Sequence, residues 1–466
     1  MNKERRYYPA FHLGPMAGWL NDPNGLCQLS GVHHIFFQYS PDDPRGGNKC
    51  WGHYETKDFV TYRFTGTFLE PDTKWDRNGV YSGCAYVKDE QMYLFYTGNV
   101  KHVGEHDYVH SGREANTMLV ISPDGVAAGP KECLMRNGDY PGNLSCHVRD
   151  PKVFLHQGRY YMVQGARTLA DEGCVLLFSS MDLRRWEFER AIHKPEFGYM
   201  WECPDLFWMS GKAFLSVSPQ GLASEEFCNQ NVYQSGYFAL GKWNTAENIS
   251  LGDFYEWDYG FDFYAPQTYE DEQGRRILLG WMGVPDAPYD HDPTIEEGWQ
   301  HMLTLPRQLS VDDTTGRIRQ TPLPELSALR VGLLFASRLE GKCMERTMEC
   351  GYELLLSDIE GPFVEIDFCD GLTFVYDATL ATCRLIFTKD AVGYGRDERR
   401  LRLASGKLSN LRVFVDRCSV ELFMNDGEEV MTTKYFPSES PTLRLRACAL
   451  AQAWELAEYR VLNLKS

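Results

Sequence analysis

Short runs of aromatic and β-branched residues, separated by Gly, Asp and Asn, recur along the chain, whereas helical periodicity is hard to find. Runs of this length between turn residues are typical of β-strands. Five of them form a repeated unit of strand, tight turn and strand, with turns at Gly31, Glu90, Gly158, Gly211 and Gly274. The spacings of 59, 68, 53 and 63 residues suit four-stranded blades, so the pattern predicts a five-bladed β-propeller.

The repeat stops after residue 309, and the pattern of the remaining chain differs. Prolines in the segment 320–324 indicate a linker that cannot continue a strand. Beyond it, alternating segments such as 411–415 and 420–424 are separated by turn signals such as 425–427. The sequence therefore predicts an all-β chain with a five-bladed propeller domain over residues 1–315, a linker over 316–334 and a C-terminal β-sandwich over 335–466.

The amino-acid composition excludes some classes of binding partner. The 466 residues include 65 acidic and 47 basic side chains, which gives a formal net charge of −18. Because no basic stripe offsets this charge, we expect no nucleic acid and no anionic membrane as a partner. No stretch approaches the 18 or so apolar residues of a spanning helix. The hydrophobic content of 43% is that of a folded protein rather than a disordered one.

The cysteines and the N-terminal segment indicate the cellular compartment in which the protein is expected. Fourteen cysteines are spread through the chain without a Cys-x-x-Cys pair. This usage favours reduced, mostly buried thiols over a disulfide framework. The first nine residues are basic but lack the apolar run of a signal peptide. We therefore expect a cytoplasmic protein.

Three carboxylates occupy nearly the same place in three of the five units. Asp22 and Glu202 each lie 9 residues before their turns, and Asp150 lies 8 before its turn. Ser82 and Tyr264 take the corresponding positions in the other two units. Since the first strand of each blade lines the channel, these side chains should converge. Converging carboxylates are costly unless a cation, a shared proton or a reaction needs them, so we predict a functional site rather than three unrelated turn caps.

The expected surroundings of these acids suit a sugar. Arg149 supplies a cation beside Asp150, and the amide and aromatic side chains expected nearby are Trp19, Asn21, Gln38, Trp51, Trp201 and Trp281. Amides and flat apolar faces bind a polyhydroxylated ring better than a metal or a nucleotide. Two carboxylic acids that flank an anomeric carbon can cleave a glycosidic bond. We therefore predict a small-molecule sugar as substrate.

Competing motifs are weaker. His102, His106 and His110 have the spacing of a helical metal face, but they surround Gly104 in a polar stretch, which favours a solvated loop. Cys203 follows Glu202 and should pack beneath the pocket rather than act as a nucleophile.

At these residues the chain resembles glycoside hydrolase family 32, the β-fructofuranosidases. The resemblance rests on Trp19-Leu-Asn-Asp-Pro-Asn-Gly25, Arg149-Asp-Pro151 and Glu202-Cys-Pro-Asp205, and on further motifs at 51–53, 260–268, 280–282, 305–307 and 416–423. It implies that Asp22 is the nucleophile, Glu202 the general acid/base and Asp150 the residue that binds fructosyl hydroxyls. We expect substrate contacts from Asn21, Gln38, Trp51, Ser82, Arg149, Tyr264 and Trp281.

The resemblance implies a retaining enzyme that releases terminal β-D-fructofuranosyl units from sucrose, sucrose 6-phosphate or short fructans, with no metal or organic cofactor. Fructosyl transfer and fructan exohydrolysis at the same site stay open. An inverting arabinanase- or xylosidase-like enzyme and a catalytically silent sugar-binding protein are the rivals. Arg45 and Lys49 are candidates for binding a substrate phosphate, against the alternative of ordinary solvated charges. Any homo-oligomer is expected to form through the β-sandwich.

Overall fold

The computed structural model describes residues 5–241, 243, 249–348, 351–437 and 441–463. Strands make up 57% of the structure and helices 4%, which confirms the predicted all-β class. In these ranges no helix is long and apolar enough to cross a membrane.

Five successive sheets form the first part of the chain. The first sheet contains β1 (Gly18–Leu29), β2 (Val32–Ser40), β3 (Cys50–Thr56) and β4 (Thr61–Leu69). The second contains β5 (Val80–Lys88), β6 (Gln91–Lys101), β7 (Arg113–Ser122) and β8 (Glu132–Met135). The third contains β9 (Leu144–His156), β10 (Arg159–Thr168), β11 (Gly173–Ser180) and β12 (Glu187–His193). The fourth contains β13 (Met200–Met209), β14 (Lys212–Gln220), β15 (Gly236–Leu240) and β16 (Leu251–Glu256).

The fifth sheet is less regular than the others. The strands of this region are β17 (Tyr264–Glu270), β18 (Arg276–Met282), β19 (Trp299–Gln300), β20 (Met302–Leu303), β21 (Arg307–Val311) and β22 (Ile318–Pro322). β18 pairs with both β20 and β21, while β19 pairs with β1 of the first sheet. A short helix, α1 (Asp292–Glu296), lies in the connection between β18 and β19.

The first strands of the five sheets surround a common axis. β1 contacts β5, β5 contacts β9, β9 contacts β13, β13 contacts β17, and β17 contacts β1. The propeller arrangement is therefore confirmed, although a strict count of regular blades gives four and not the predicted five. We attribute the lower count to the branched fifth sheet, whose third strand is divided between β20 and β21.

The C-terminal part is sandwich-like. Its strands are β23 (Arg330–Thr347), β24 (Tyr352–Cys369), β25 (Leu372–Asp377), β26 (Thr382–Phe387), β27 (Glu398–Arg402), β28 (Leu411–Val415), β29 (Ser419–Met424), β30 (Glu429–Lys434) and β31 (Thr442–Leu456), with the helix α2 (Asp390–Gly393) between β26 and β27. β24 pairs with β28 through its first half and with β25 through its second half, so one long strand serves both layers. Leu354, Ile366, Phe374, Val413 and Leu445 are among the buried side chains between them.

The predicted linker, residues 316–334, is ordered at both ends. β22 pairs with β21 and so continues the fifth sheet, a 3-10 helix spans Pro324–Leu329, and β23 begins at Arg330. A second 3-10 helix, Asn137–Asp139, precedes β9. Near the chain's end, β32 (Arg460–Asn463) pairs in parallel with β4. The two parts of the chain are therefore joined by strand pairing as well as by sequence.

Buried charges fix the propeller against the sandwich. His12 Nδ1 lies 2.7 Å from Asp416 Oδ2, and His12 Nε2 lies 2.9 Å from Glu421 Oε1. Arg307 on β21 donates to the other Glu421 oxygen at 2.7 Å and to Asp258 at 3.1 Å. Burial lowers the pKa of His12, but the hydrogen bonds that the imidazole donates to the two carboxylates outweigh it and raise the pKa to about 9. The fifth sheet, which contributes one wall of the channel, is thereby held in place.

Candidate active site

The predicted site residues lie on the first strands of the five sheets, at or before the middle of each strand. They are Asn21 and Asp22 on β1, Ser82 on β5, Arg149 and Asp150 on β9, Glu202 on β13 and Tyr264 on β17. Because the five strands form a ring, their N-terminal ends meet at one mouth of the channel. A cavity of about 280 Å³ opens there, lined by these residues and by Trp19, Gln38, Lys49, Tyr81, Trp281 and Pro285.

A β-bulge beside each set of site residues turns the side chains toward the cavity. In β1, Asn21 and Asp22 together oppose the single residue Gln38 of β2, and in β9, Asp150 and Pro151 oppose one residue of β10. β5, β13 and β17 have the same two-for-one shift. A bulge bends its strand and changes the direction in which its side chains point. The same local distortion, used five times, thus brings polar residues of different blades to one place.

Asp22 is partly buried and is held by two donors. Ser82 Oγ donates to Asp22 Oδ2 at 2.5 Å, and Asn21 Nδ2 donates to Oδ1 at 3.1 Å. Gln38 positions both donors, because its amide nitrogen donates to Ser82 Oγ at 2.8 Å and its oxygen accepts from Asn21 at 2.6 Å. Burial raises the pKa of Asp22, and the hydrogen bond from Ser82 lowers it in part. The network therefore favours the ionised carboxylate against the cost of desolvation.

Glu202 lies on the opposite side of the cavity in a different setting. Arg149 Nε is 3.0 Å from Glu202 Oε1. The other oxygen accepts hydrogen bonds from Gln220 at 2.9 Å and from the Tyr264 hydroxyl at 2.8 Å. Burial raises the pKa of Tyr264 well above its usual range, so this hydroxyl remains a donor. Glu202 thus has one cation and two neutral donors, which suits a carboxyl group that must both release and recover a proton.

Asp150 completes the group of acids. Its backbone has a φ of 62°, a region that few non-glycine residues adopt. Its Oδ2 accepts a hydrogen bond from the backbone N–H of Cys203 at 2.9 Å. Burial raises the pKa of Asp150 to about 7, the charge of Glu202 adds to this, and Arg149 opposes it. Asp150 is therefore partly protonated near neutral pH.

Trp51 is the predicted substrate contact that the structure does not bring to the cavity. Its side chain is fully buried on β3, and its indole N–H donates to the Tyr81 carbonyl oxygen at 3.0 Å. Trp51 therefore supports the strand that carries Ser82 and does not line the cavity. Trp201, expected nearby, is also fully buried. The other predicted substrate contacts, Asn21, Gln38, Ser82, Arg149, Tyr264 and Trp281, all line it.

Gln220 is a site residue that sequence reasoning missed. It lies at the end of β14, the second strand of its sheet, where it pairs with Met200 at the start of β13. The repeated positions used for the prediction lie on first strands, so they give no indication that Gln220 belongs to the site. Only the strand pairing, which places the end of β14 beside the start of β13, brings its amide to Glu202.

The histidine clusters lie away from the cavity. His102, His106 and His110 are in the loop between β6 and β7, where His102 pairs with Glu114, as expected for a solvated loop. One group in the described ranges, His34, His53 and Glu55, has the spacing of metal ligands. It is buried on β2 and β3, and its two imidazoles are joined by a 3.1 Å contact.

Comparison with known proteins shows which family the sequence matches. The N-terminal domain profile of glycosyl hydrolases family 32 matches residues 12–322, and the C-terminal profile of that family matches residues 375–455. A sucrose-6-phosphate hydrolase of Bacillus subtilis is 41% identical over 444 residues, which cover 92% of this chain and 88% of that protein.

Two solved structures of similar proteins have the same fold. The sucrose-6-phosphate hydrolase of Lactobacillus gasseri superposes with a TM-score of 0.87 at 26% identity, covering 97% of this chain and 94% of that one. A family 32 β-fructofuranosidase of Bombyx mori, solved as a mutant in complex with sucrose, has a TM-score of 0.83 at 29% identity, covering 98% and 96%.

The crowding of acids predicts a gain in stability when one charge is removed. Between the unfolded pKa of 3.8 and the folded pKa of about 7, folded Asp150 keeps a proton that the unfolded chain releases. Folding stability therefore falls as the pH rises through this window, and the full penalty is present above it. We expect Asp150→Asn to raise the melting temperature at pH 8 by at least about 2 °C, with a smaller gain at pH 5.

Scanning calorimetry across this range checks the expectation, with the exposed Asp313→Asn as a matched control that should show no such pH dependence. If Asp150→Asn is less stable than the wild type at pH 8, the ionised Asp150 carboxylate does not destabilise the folded protein, and the expectation is wrong.

Proposed function

This chain belongs to glycoside hydrolase family 32, and from that premise we propose that it is a retaining β-fructofuranosidase. It releases the terminal non-reducing β-D-fructofuranosyl unit from sucrose and sucrose 6-phosphate. The observation that carries the proposal is the placement of Asp22 and Glu202 in one cavity with different partners. One carboxylate accepts hydrogen bonds from two neutral donors, and the other lies beside a cation and two hydrogen-bond donors.

Asp22 performs the first step as the nucleophile. Ser82 and Asn21 hold its carboxylate in a fixed orientation, so an attack on the anomeric carbon costs little reorganisation. The product of this step is a fructosyl ester on Asp22, which preserves the energy needed for a second displacement. A sugar in the cavity displaces water from Asp22, which strengthens the attraction between the carboxylate and the developing oxocarbenium charge.

Glu202 moves the proton in both steps. Glu202 delivers a proton to the leaving oxygen as the glycosidic bond breaks. The resulting carboxylate is stabilised by Arg149, Gln220 and Tyr264. It then removes a proton from water, which attacks the fructosyl ester and releases fructose with its original configuration.

Asp150 and Arg149 hold the fructosyl ring. The free carboxyl oxygen of Asp150 accepts from ring hydroxyls, and this interaction strengthens as positive charge develops on the ring. The cavity has a volume of about 280 Å³. A pocket of this size accepts one terminal sugar unit and leaves the rest of a longer substrate outside it, which supports release of single units from a chain end.

The rival functions have weaker support. Fructosyl transfer would use the same covalent intermediate, but nothing at the described cavity selects a sugar over water as acceptor. An inverting arabinanase-like enzyme does not account for a carboxylate held by Ser82 and Asn21 at the inner end. A silent binding protein does not account for the presence of all three acids.

The division of roles predicts the effect of single substitutions. Asp22→Asn, Asp150→Asn and Glu202→Gln should each lower kcat on sucrose by at least about 10²-fold while the protein stays folded, because each removes a charge or proton that the transition state needs. For Glu202→Ala, a fructoside with a good leaving group should recover the first step, and azide should speed the second. Asp313→Asn serves as the control. Full activity of Glu202→Ala on sucrose would remove Glu202 from the mechanism.

A substrate panel tests the function itself. We expect release of fructose from sucrose and sucrose 6-phosphate, with slower release from 1-kestose, inulin and levan, as measured by chromatography of the products. Oligosaccharide products larger than the substrate would instead indicate a transferase. The absence of fructose from every member of the panel would overturn the proposal.

We further propose that the branched fifth sheet is the fifth blade and that the catalytic domain extends to Pro322. β17 contacts both β13 and β1, and β22 pairs within the same sheet. The family profile that ends at residue 322 supports the same division. A crystal structure with a ring of four sheets would contradict it.

A cytoplasmic location is part of the proposal. The 13 cysteines in the described ranges carry free thiols, and many of them, including Cys84 and Cys383, are buried. Free thiols in this number suit a reducing compartment. A phosphorylated sucrose would also be met inside a cell that phosphorylates sugars on import.

We propose self-association through the sandwich. β23 pairs only with β31 among the described strands, and near its start it exposes Val331 and Leu333. An unpaired strand edge with apolar side chains is a surface to which a second copy can add its own edge. Sedimentation velocity should give a dimer that Val331→Lys with Leu333→Lys converts to a monomer. A monomeric wild type at micromolar concentration would contradict this.

A further inference from the structure

Lys49 occupies a narrow space in the wall of the cavity, between Trp19 and Gly46. It immediately precedes β3, and its Nζ atom lies 4.6 Å from the centre of the Trp19 ring. On the other side, a Cβ atom on Gly46 would come within 3.2 Å of Nζ. The absence of a side chain at Gly46 therefore leaves room for the ammonium group. Both Lys49 and Trp19 line the cavity that contains Asp22.

The charge of Lys49 is less well compensated than that of the other cation at the cavity. Arg149 is 3.0 Å from Glu202. In the part of the chain that the structure describes, no carboxylate oxygen lies within the 4.0 Å of an ion pair from Lys49. Burial lowers the pKa of Lys49 to about 8, and the charges of Asp22 and Asp43 oppose this shift. A partly desolvated ammonium without a paired anion is positioned to gain from an anionic ligand.

Arg45, in the same loop, has a different setting. Its side chain is 68% exposed, and its nearest acid is Asp292 at 3.7 Å. It is absent from the cavity wall. The sequence offers Arg45 and Lys49 as equal candidates for binding a substrate phosphate, and the structure separates them.

We propose that Lys49 forms a phosphate subsite at the mouth of the cavity and thereby selects sucrose 6-phosphate over sucrose. The inference rests on the proposed function. The fructosyl unit fills the inner end of the cavity, and the phosphorylated glucosyl unit lies at the mouth, where the ammonium group binds the phosphate oxygens.

The surrounding charges explain why such a cation is needed. The chain has a formal net charge of −18, and Asp42 and Asp43 lie in the loop that carries Lys49. A phosphate dianion that approaches this mouth is repelled unless a positive group compensates. The Trp19 face stabilises the ammonium without neutralising it, since a ring quadrupole attracts a cation but leaves its charge available to a ligand.

The direct test compares kcat/KM for the two sucroses in three proteins. The wild type should prefer sucrose 6-phosphate by at least about tenfold, and Lys49→Met should lower this preference by about tenfold to a hundredfold, the range for losing a hydrogen bond to a charged group. Arg45→Met, which removes a charge from the same loop, is the matched control and should change the preference by less than about threefold. A cooperative thermal melt like that of the wild type, followed by circular dichroism, shows that Lys49→Met is folded.

Product inhibition gives a readout that does not depend on cleavage of the phosphorylated sugar. With sucrose as substrate, glucose 6-phosphate should inhibit the wild type at concentrations at least about tenfold lower than glucose does. In Lys49→Met the two inhibitors should become similar.

The pH dependence supplies a signature of the ammonium group. The groups that interact electrostatically with Lys49 are Asp22 on β1, Asp43 in the loop, Cys50 on β3 and His301 before β20. Burial raises the pKa of Cys50 to about 11 and lowers that of His301 well below its usual value. Lys49 is therefore the group of this set that loses its charge between pH 7 and pH 9. The preference for sucrose 6-phosphate should fall across that range in the wild type and stay flat in Lys49→Met.

The outcomes separate this inference from the proposed function. If the wild type cleaves both sucroses with equal kcat/KM, or if Arg45→Met lowers the preference more than Lys49→Met does, Lys49 is not the phosphate subsite and the β-fructofuranosidase proposal stands. If the wild type cleaves neither sugar, the proposed function itself fails.

Discussion

The crowding of three carboxylates in one small cavity is the constraint on which the rest of the site depends. Asp22, Asp150 and Glu202 repel one another, and Asp150 is almost fully buried. The pKa of Asp150 rises to about 7 and that of Asp22 rises as well, mainly through desolvation. The neighbouring groups each reduce this cost at a specific atom. Ser82 and Asn21 donate to one acid, while Arg149, Gln220 and Tyr264 surround another. The site thus holds charge and a proton ready before substrate arrives, at the expense of folding stability.

The propeller makes this crowding geometrically feasible. Five first strands form a ring, and a bulge near the beginning of each one turns its polar residues toward the axis. No single sheet could present acids from opposite directions, because neighbouring side chains on one strand point to alternate faces. The interface with the sandwich stabilises the same ring from outside. Arg307 of the fifth sheet is fully buried between Asp258 and Glu421, so the wall that carries Tyr264 is tied to the C-terminal part.

The sequence was informative wherever function depends on a fixed distance from a turn. Asp22, Asp150 and Glu202 could be placed together because each lies 8 or 9 residues before a glycine in the turn that follows its first strand. Trp51 could not be placed correctly, because β3 is buried on both faces and its pattern does not indicate which side faces the cavity. Gln220 depends on the pairing between two strands.

The sequence was least informative in loops and at irregular pairings. Arg45 and Lys49 lie in one loop, and only three-dimensional packing shows that Lys49 is enclosed by Trp19 and Gly46 while Arg45 faces solvent. The branched pairing of β18 had no counterpart in the repeat, which is why the fifth unit looked as regular as the others. The fold and the positions of the three acids could be predicted from the periodic spacing of the sequence. The positions of residues on second strands and in loops depend on three-dimensional packing.

The measurement that tests the central claim most directly is the configuration of the product formed when methanol competes with water for the covalent intermediate. A methyl fructoside does not mutarotate, so its configuration records the stereochemistry of the reaction. If Asp22 forms a fructosyl ester on one face and the acceptor enters from the side of Glu202, proton NMR of the purified product should show methyl β-D-fructofuranoside. Formation of the α anomer, or release of α-fructose with no methyl fructoside at all, would contradict a nucleophilic Asp22.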